Sequence, residues 1–188
     1  EWEPHEGTWL AWPHNQEHWP GKFEPIPHVY VEIVRGLIEG GEKVFICVDD
    51  AQMEADARAL LSSVILSNVT LSLSKGCVEI YFFHIPTNAS WSRDHGPIFV
   101  RNEKGERIIL DWKFNTWGGK YPPWDLDDVV PQKIGAALSI PVVKPGIVLE
   151  GGSIEVNGKG ALLTTTQCLL NKNRNPNLTQ QEIEKYLH

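Results

Sequence analysis

The sequence predicts an α/β fold in which parallel and antiparallel strands occur together. Two segments with helical spacing of apolar residues, at 26–38 and 53–64, alternate with apolar segments of strand length. Farther along, short strand-like segments follow one another in pairs separated by turn residues. Alternating strands and helices favour parallel pairing, whereas neighbouring strands favour hairpins, so both kinds of pairing are expected. The order is compatible with a repeat of about 50 residues, although the units do not align by identity.

Three strands and two helices are predicted in the first half of the chain. The strands lie at residues 8–13, 43–48 and 78–85. The first helix is expected to end at Gly40 and Gly41, because glycine adopts the backbone conformations that close a helix. Asp49 or Asp50 is predicted to cap the second helix, since its side-chain oxygen can accept a free amide of the first turn.

A hairpin, a helix and a further group of strands are predicted in the second half. Residues 97–102 and 107–114 are expected to pair across a turn at 103–106. They are followed by a loop rich in Trp, Gly and Pro at 115–126, a helix at 131–140, and strands at 141–145, 147–152, 153–158 and 160–167. Thr179 is predicted to cap the C-terminal helix together with Glu182, in the capping-box pattern.

Charge and hydropathy argue against several classes of protein. The chain has 24 acidic and 17 basic residues, a formal net charge of −7. Because binding to phosphates requires a basic face, nucleic acid is not an expected partner. No apolar run approaches the roughly 20 residues of a membrane helix, and no signal-peptide pattern is visible, so membrane association is not expected. An acidic protein is better suited to attracting small cations.

The three cysteines predict a reducing, cytoplasmic location. Cys47, Cys77 and Cys168 are odd in number and far apart, so no disulfide framework can be drawn from them. Cys47 lies in an apolar strand segment, where we expect a buried, inert thiol. The eight tryptophans leave two interpretations open, since such residues either fill the core or line an aromatic pocket.

The segment WSRDHGP, at 91–97, places an aromatic ring, a cation, an acid and an imidazole on one bend. We expect Arg93 to pair with an acid and hold the loop, because arginine commonly anchors acids. His95 is expected to act as a hydrogen-bond donor of the loop. Asp94 considered by itself favours a structural ion pair. A second acid elsewhere in the chain makes a shared ligand site the alternative.

That second acid is Glu150, in the segment LEGGS. It ends an apolar run, and Gly151 and Gly152 behind it allow a sharp turn. A buried carboxylate is costly unless it meets a cation or hydrogen-bond donors. A lone Glu of this kind favours a structural salt bridge, but two carboxylates at glycine-containing strand ends suit a planar cation held by paired hydrogen bonds. Guanidinium is the natural candidate.

Two further motifs have competing interpretations. HNQEH, at 14–18, matches the H-x-x-E-H pattern of some zinc peptidases. Both histidines must then share a helix face, which Pro13 and the following Trp-Pro-Gly disfavour, so we expect a polar loop and no metal. The loop FNTWGGKYPPW contains Trp117 before two glycines, and is either a tight loop that approaches a ligand or a surface turn.

Four segments together resemble the agmatine deiminase family, which includes the bacterial-type peptidylarginine deiminases. They are EWEPHEGTWLAWP, WSRDHGPIFV, DWKFNTWGGKYPPW and VLEGGSIEVNGKGALLTTTQCLLNKNRNP. The resemblance implies the guanidine-modifying fold, in which ββαβ units surround a pseudo-fivefold axis as a propeller. Two to three such units fit into this chain, which would be the N-terminal part, residues 1–188, of a single deiminase domain.

The resemblance also implies an activity without any cofactor or metal. A guanidinium is hydrolysed to a ureido group with release of ammonia, through attack by a cysteine thiolate and a covalent thiouronium intermediate. The expected substrate is agmatine, which would yield N-carbamoylputrescine for polyamine and putrescine biosynthesis. The partner is therefore a small guanidinium cation, and a homo-oligomer of the full-length protein is left open.

Position by position, the resemblance assigns roles to seven residues. Both Asp94 and Glu150 are expected to be catalytic carboxylates. Asp94 would grip the guanidinium nitrogens, and Glu150 would orient and pair with the catalytic histidine and the substrate. Trp91 and Trp117, with the same two acids, bind the substrate. The residues expected to support the site structurally are Arg93, Gly151 and Gly152.

One departure from the family pattern limits what the chain is expected to do. The nucleophilic cysteine and the catalytic histidine of the family have no counterpart here, so we expect no turnover by these 188 residues alone. Peptide arginine as the substrate, or an inactive guanidinium-binding relic, are the alternatives within the family. A tryptophan-rich carbohydrate-binding module is a further alternative, which the two amphipathic helices disfavour because such modules are usually all-β.

Overall fold

The computed structural model describes residues 5–71 and 79–187, and the chain divides into two compact units. The first unit ends at Ser92 and the second begins at Arg93. Each unit combines strands and helices, so the predicted α/β class with both kinds of strand pairing is confirmed. Among the described residues, the sheets are small and none closes on itself.

The first unit is built on a three-stranded parallel sheet. Its strands are β1 (Gly7–Ala11), β2 (Lys43–Val48) and β3 (Ile80–His84), in the order β1-β2-β3. The connections are α1 (Ile26–Glu39) and α2 (Ala51–Leu71). A parallel strand covered by helices is buried, and such strands are rich in apolar residues. The central strand β2 is accordingly apolar along almost its whole length.

The helix ends in this unit follow local signals. Gly40 is the C-cap of α1, as predicted. Asp50, rather than Asp49, caps α2, since its Oδ1 accepts a hydrogen bond from the Met53 amide at 2.8 Å. The second helix continues to Leu71, well beyond the predicted end at residue 64. Cys47 is buried as expected, whereas Cys77 and the first residue of the predicted strand 78–85 lie outside the described residues.

The second unit contains a strand–strand–helix–strand sequence. Strands β4 (Ile98–Arg101) and β5 (Arg107–Leu110) form the predicted antiparallel hairpin. Helix α5 (Val130–Leu138) then leads to β6 (Val142–Val143), which pairs in parallel with β5. This is one ββαβ arrangement of the kind the sequence analysis expected, and the pseudo-fivefold propeller stays a prediction.

The remaining elements of the second unit are short. They are α3 (Ser92–His95, which begins at the unit boundary), α4 (Thr116–Gly119), β7 (Ile154–Val156), β8 (Leu162–Thr164), α6 (Thr166–Leu169) and α7 (Gln180–Leu187). Strands β7 and β8 form a second hairpin. The capping box of α7 is confirmed. The Thr179 amide donates a hydrogen bond to Glu182 Oε2 at 2.8 Å, and the Glu182 amide donates one to Thr179 Oγ1.

The strand predicted at 147–152 is wrong. Val148 makes only an isolated parallel bridge with Lys113, and Gly151–Ser153 form a 3-10 turn. The physical reason is that Asn175 takes both backbone groups of Val148, its Oδ1 accepting from the amide and its Nδ2 donating to the carbonyl, each at 2.9 Å. A neighbouring strand would need these groups.

The core of the second unit lies beneath this segment. Its buried members are Trp112, Ile147, Leu149, Leu169 and Ile183. Ile147 and Leu149 lie two residues apart, so extended backbone directs both of their side chains to the same side. None of the helices described is both long enough and apolar enough to cross a bilayer.

Candidate functional site

Asp94 and Glu150 come together in the second unit through a glycine turn. Asp94 lies in α3, and Glu150 immediately precedes the turn Gly151–Ser153. The Gly152 amide donates a hydrogen bond to Asp94 Oδ1 at 3.1 Å. A Cβ on Gly152 would overlap the Asp94 carboxylate, and one on Gly151 would overlap the Arg93 carbonyl oxygen. Only glycine therefore permits this approach.

Glu150 is a buried carboxylate in which only one of the two oxygens has a hydrogen-bond partner among the described residues. It is 1% exposed, and its Oε1 accepts a hydrogen bond from Arg174 Nε at 2.7 Å. Its Oε2 has no hydrogen-bond partner in the described part of the chain. A buried charged oxygen without a donor costs free energy, so Glu150 is prepared to accept a hydrogen bond from a ligand.

Asp94 is influenced by the same environment. Burial raises the pKa of Asp94 above its ordinary value, the Gly152 amide opposes this, and the charge of Glu150 raises the pKa further. The two carboxylates are thus close enough to repel each other. A cation that contacts both would relieve this repulsion and favour both ionised forms, which a neutral ligand would not do.

His95, which was expected to be a hydrogen-bond donor of a loop, lies buried in α3 next to Asp94. Its side chain is 1% exposed, and its Nε2 lies 3.9 Å from Oδ1 of Asp127, which is fully buried. Asp127 has no distinguishing signal in the sequence, because it lies in a run of acids. The ring of Phe114 lies 5.8 Å from that of His95, in an edge-to-face arrangement.

Trp117 lies on a turn with an unusual backbone. All four residues of α4 have positive φ, with values of 47°, 57°, 91° and 76° from Thr116 to Gly119. For residues with a side chain, each such position costs about 1–2 kcal/mol, so the turn stores strain of the kind found at functional sites. The Trp117 ring is half-buried and packs edge-to-face on Phe114 at 5.7 Å.

The other predicted residues have less specific surroundings. Trp91 belongs to the first unit, where its ring stacks on Trp19 at 5.2 Å and is 37% exposed. Its assignment to the substrate site stays a prediction. Arg93 pairs with Glu155 at 3.7 Å, but both side chains are largely exposed, and such a pair contributes about 0–1 kcal/mol.

The HNQEH segment does not form the helix that a zinc peptidase requires. Only Gln16–His18 are helical, in a 3-10 turn, and His14 lies before it with Nδ1 at 3.0 Å from the Trp12 carbonyl oxygen. Within residues 5–71 and 79–187, there is no group of three or more His, Cys, Asp or Glu side chains arranged to hold a metal ion.

Three residues that the sequence analysis missed surround Glu150. Arg174 binds its carboxylate, Asn173 accepts a hydrogen bond from Arg174 Nη1 at 2.7 Å, and Asn175 holds the backbone of Val148. Their segment, NKNRNPN at 171–177, has no periodicity. Its density of Asn and Arg before a proline was the one available signal, since these side chains often bind backbone or carboxylate groups.

Known proteins match the whole chain. The family profile of the Porphyromonas-type peptidyl-arginine deiminases matches residues 1–188. An agmatine deiminase of Ectopseudomonas mendocina is 42% identical over 195 residues, which cover all of this chain and 48% of that protein. The chain therefore spans about half the length of the curated relatives it matches.

Solved structures agree with this result. The agmatine deiminase of Enterococcus faecalis superposes with a TM-score of 0.82 at 34% identity, over 98% of this chain and 47% of that one. An agmatine deiminase of C. jejuni with substrate bound superposes with a TM-score of 0.81 at 31% identity, over the whole of this chain and half of that one.

Proposed function

Because the chain belongs to the Porphyromonas-type peptidyl-arginine deiminase family, we propose that its protein hydrolyses a guanidinium group to a ureido group and ammonia. Agmatine is the proposed substrate, and N-carbamoylputrescine the product. This choice is supported by the relatives named above, which are agmatine deiminases. A place in polyamine and putrescine synthesis follows from that product.

One observation in the structure supports the proposal most directly. Glu150 Oε2 is buried and has no hydrogen-bond partner among the described residues, while the neighbouring Asp94 has a raised pKa. A guanidinium offers several N–H donors in one plane together with a positive charge. It would supply the missing donor to Glu150 and relieve the repulsion between the acids, which a neutral ligand could do only in part.

In the proposed mechanism, the two carboxylates hold the guanidinium so that its carbon is open to attack. A cysteine thiolate, proposed to lie outside residues 1–188, adds to this carbon to form the C–S bond. A histidine, also proposed to lie outside this chain, protonates the departing nitrogen, and ammonia leaves. Water then attacks the thiouronium carbon and gives one proton back to the histidine. The C–S bond breaks, the second proton of the water passes to solvent, and the ureido product and the thiolate are released.

Trp117 and Trp91 are proposed to line the substrate site. An aromatic face near a bound guanidinium adds a cation–π attraction of about 0.5–2 kcal/mol. The strained backbone of α4 is compatible with such a role for Trp117, because strain persists where the surrounding structure enforces it. We further propose that the full-length protein completes a pseudo-fivefold propeller, to which this chain contributes two to three units.

The test is ammonia release by the full-length gene product. Agmatine, free arginine and an arginine amide blocked at its α-amino group serve as substrates, and the last of these represents peptide arginine. We expect preference for agmatine. The variants Asp94→Asn and Glu150→Gln should lower kcat/KM about 100-fold or more, because misplacing the reacting carbon by an ångström has that effect. Glu103→Gln, at an exposed turn position, is the matched control and should change little.

The outcomes separate the alternatives. Preference for the blocked arginine amide would favour peptide arginine as the substrate, which the family description also names. Binding of agmatine without ammonia release would indicate the inactive relic. Full activity of both carboxylate variants would refute the assigned roles. Detectable ammonia release by residues 1–188 alone would refute the proposal that the nucleophile lies elsewhere.

A further inference from the structure

We propose that Ser153 and Thr164 are positioning residues for the proposed reaction, because their hydroxyl groups hold the glycine turn in place and so keep the Gly152 amide on the Asp94 carboxylate. This inference rests on the proposed function. Neither hydroxyl is expected to touch the substrate. Both would influence the reaction only through Asp94, which distinguishes them from the two carboxylates themselves.

The Ser153 side chain closes the glycine turn from within. The carbonyl oxygen of Glu150 accepts a hydrogen bond from the Ser153 amide at 2.8 Å and a second one from the Ser153 hydroxyl at 2.6 Å. Gly151 and Gly152 lie between the two ends of this short loop. Because glycine has more backbone freedom than any other residue, two glycines in succession need further contacts to fix the direction of their amides. The Ser153 hydroxyl supplies one such contact.

The Thr164 side chain holds the same turn from the neighbouring strand. Thr164 ends β8, and its hydroxyl donates a hydrogen bond to the Ser153 carbonyl oxygen at 2.7 Å. The paired register of the hairpin stops at Ile154 and Thr164, and Thr165 is already the N-cap of α6. The Thr164 hydroxyl thus satisfies a carbonyl group that lies just beyond the last pair of the hairpin.

On its other side, the glycine turn lies directly against α3. A Cβ on Gly151 would overlap the Arg93 carbonyl oxygen, and one on Gly152 would overlap Asp94 Oδ1. The Gly152 amide reaches Asp94 Oδ1 at 3.1 Å, near the upper end of the range of about 2.7–3.2 Å for such hydrogen bonds. A small movement of the turn away from α3 would therefore break this hydrogen bond.

The Gly152 amide affects the reaction because it favours the ionised form of Asp94. Burial raises the pKa of Asp94 most, and the Gly152 amide opposes this by donating to the carboxylate. Without the amide, Asp94 would take up a proton at a higher pH. A protonated Asp94 would no longer attract a guanidinium by its charge, and its misplaced oxygens would no longer orient the reacting carbon.

Charged side chains around Asp94 belong to α3, to the turn, to the hairpin and to the segments that these contact. They are Arg93, His95, Asp127, Glu150, Glu155 and Arg174. The charge of Glu150 raises the pKa of Asp94, whereas His95 and Arg93 lower it. Replacing a hydroxyl alters none of these charges. Glu155 lies on the hairpin and pairs with Arg93 at 3.7 Å, so this second connection from the hairpin to α3 is tested separately.

A purely structural role for the two hydroxyls is the competing explanation. Their loss would then reduce kcat/KM by the same factor at every pH. If the hydroxyls act through Asp94, the loss should grow as the pH falls, since Asp94 becomes protonated in the variant before it does so in the unaltered protein. The ratio of kcat/KM in the variant to that in the unaltered protein separates the two explanations. Other titrating groups cancel in this ratio when the substitution leaves them unchanged.

The experiment measures ammonia release from agmatine by the full-length protein at acidic, neutral and alkaline pH. Valine matches threonine in shape but lacks the hydroxyl, whereas serine retains it. We expect Thr164→Val and Ser153→Ala to lower kcat/KM about 10- to 100-fold at neutral pH and by a larger factor at acidic pH. Thr164→Ser should stay near the unaltered protein at every pH.

Hydrogen exchange of the Gly152 amide provides a second measurement, which needs no turnover. An amide held by a hydrogen bond exchanges more slowly than one that opens to water. Thr164→Val and Ser153→Ala should therefore speed this exchange, and Thr164→Ser should not. Unchanged exchange in both of the first two variants would refute the inference, because the amide would then be held by other contacts.

Ser62→Ala is the matched control for losing a hydroxyl. The Ser62 hydroxyl donates to the Ala59 carbonyl oxygen at 2.7 Å, the same length as the bond from Thr164, but it lies on the exposed side of α2. Its loss should leave kcat/KM unchanged at every pH. Glu155→Gln should leave the ratio independent of pH, since the proposed connection runs through the hydroxyls and not through Arg93.

The outcomes distinguish failure of the inference from failure of the proposed function. Absence of turnover by the unaltered protein on every guanidinium compound refutes the proposed function, and this inference with it. Turnover by the unaltered protein refutes the inference alone when the ratio for Thr164→Val is independent of pH. The same holds when Thr164→Ser or Glu155→Gln reproduces the decline of the ratio at acidic pH. If Thr164→Val does not fold, Ser153→Ala decides by the same ratio.

Discussion

Removing Arg174 from its ion pair with Glu150 is predicted to cost much more stability than removing one partner of a surface pair of the same length. Both this pair and the pair of Arg35 with Glu32 have a nitrogen–oxygen distance of 2.7 Å. They differ in exposure, with side chains 7% and 2% exposed in the first pair and 36% and 63% in the second. The two pairs therefore match in length and differ strongly in burial.

The magnitude follows from that burial. Removing one partner of a buried pair leaves an uncompensated charge and costs about 3–5 kcal/mol, whereas an exposed pair contributes about 0–1 kcal/mol. Water that enters from the open cavity that Arg174 lines would hydrate the orphaned carboxylate, so we place Arg174→Met near the lower end of the range, at about 3 kcal/mol. Because the entropy of unfolding grows with chain length, this corresponds to a loss of about 4 °C in melting temperature for a protein about twice as long as this chain.

Urea and thermal unfolding of the full-length protein provide the assay. Arg174→Met, Glu150→Met and Arg35→Met are compared with the unaltered protein, and the double variant of Arg174→Met and Glu150→Met completes a mutant cycle. The double variant should recover much of the lost stability, since an apolar pair of similar volume often replaces a buried ion pair at little cost. It should not recover activity. A cost below about 1 kcal/mol for Arg174→Met, equal to that of Arg35→Met, would refute the reasoning.

Three further outcomes are expected. Because burial raises the pKa of Asp94, the folded protein holds that proton more tightly than the unfolded chain, and this contribution to stability is lost as the pH rises through the folded-state pKa. Asp94→Asn should therefore raise the melting temperature at neutral pH and flatten its decline from acidic pH, and an unchanged profile in a pH series of melting curves would contradict this. Gly152→Ala should lower kcat/KM about 100-fold in the ammonia assay because its Cβ displaces the Asp94 carboxylate, and normal kinetics would exclude the close approach. Gly118→Ala should destabilise more than Gly105→Ala in urea unfolding, since φ is positive at both positions but only Gly118 faces the Asn173 side chain; equal costs would argue against that contact.

The helices and strands were predictable wherever the signal is local. The apolar residues of β2 and the Gly40 cap of α1 follow rules that involve only neighbours along the chain. The capping box at Thr179 is likewise contained within four residues. The error at 147–152 arose because an apolar run resembles a strand whether or not another strand is available to pair with it.

The family was also predictable, and the comparisons confirm it. Asp94 and Glu150 were identified because both were expected at glycine-containing strand ends. Asp94 instead lies in the short helix α3, and the structure brings the two segments together through Gly152. Their roles, and those of Trp91 and Trp117, remain predictions for the kinetic tests.

The sequence by itself determined the α/β class, most element positions and the family, and it singled out Asp94 and Glu150 as candidate site residues. Each of these results depends on periodicity, caps or motifs whose residues lie close together in the chain. Only the tertiary structure showed that Arg174 holds Glu150 from 24 residues away and that Asn175 replaces a strand partner of Val148 from 27 residues away. The left-handed turn of α4 belongs to the same group. The physical reason is that a polar side chain has many possible partners in a sequence, and only the fold brings one of them within hydrogen-bond distance.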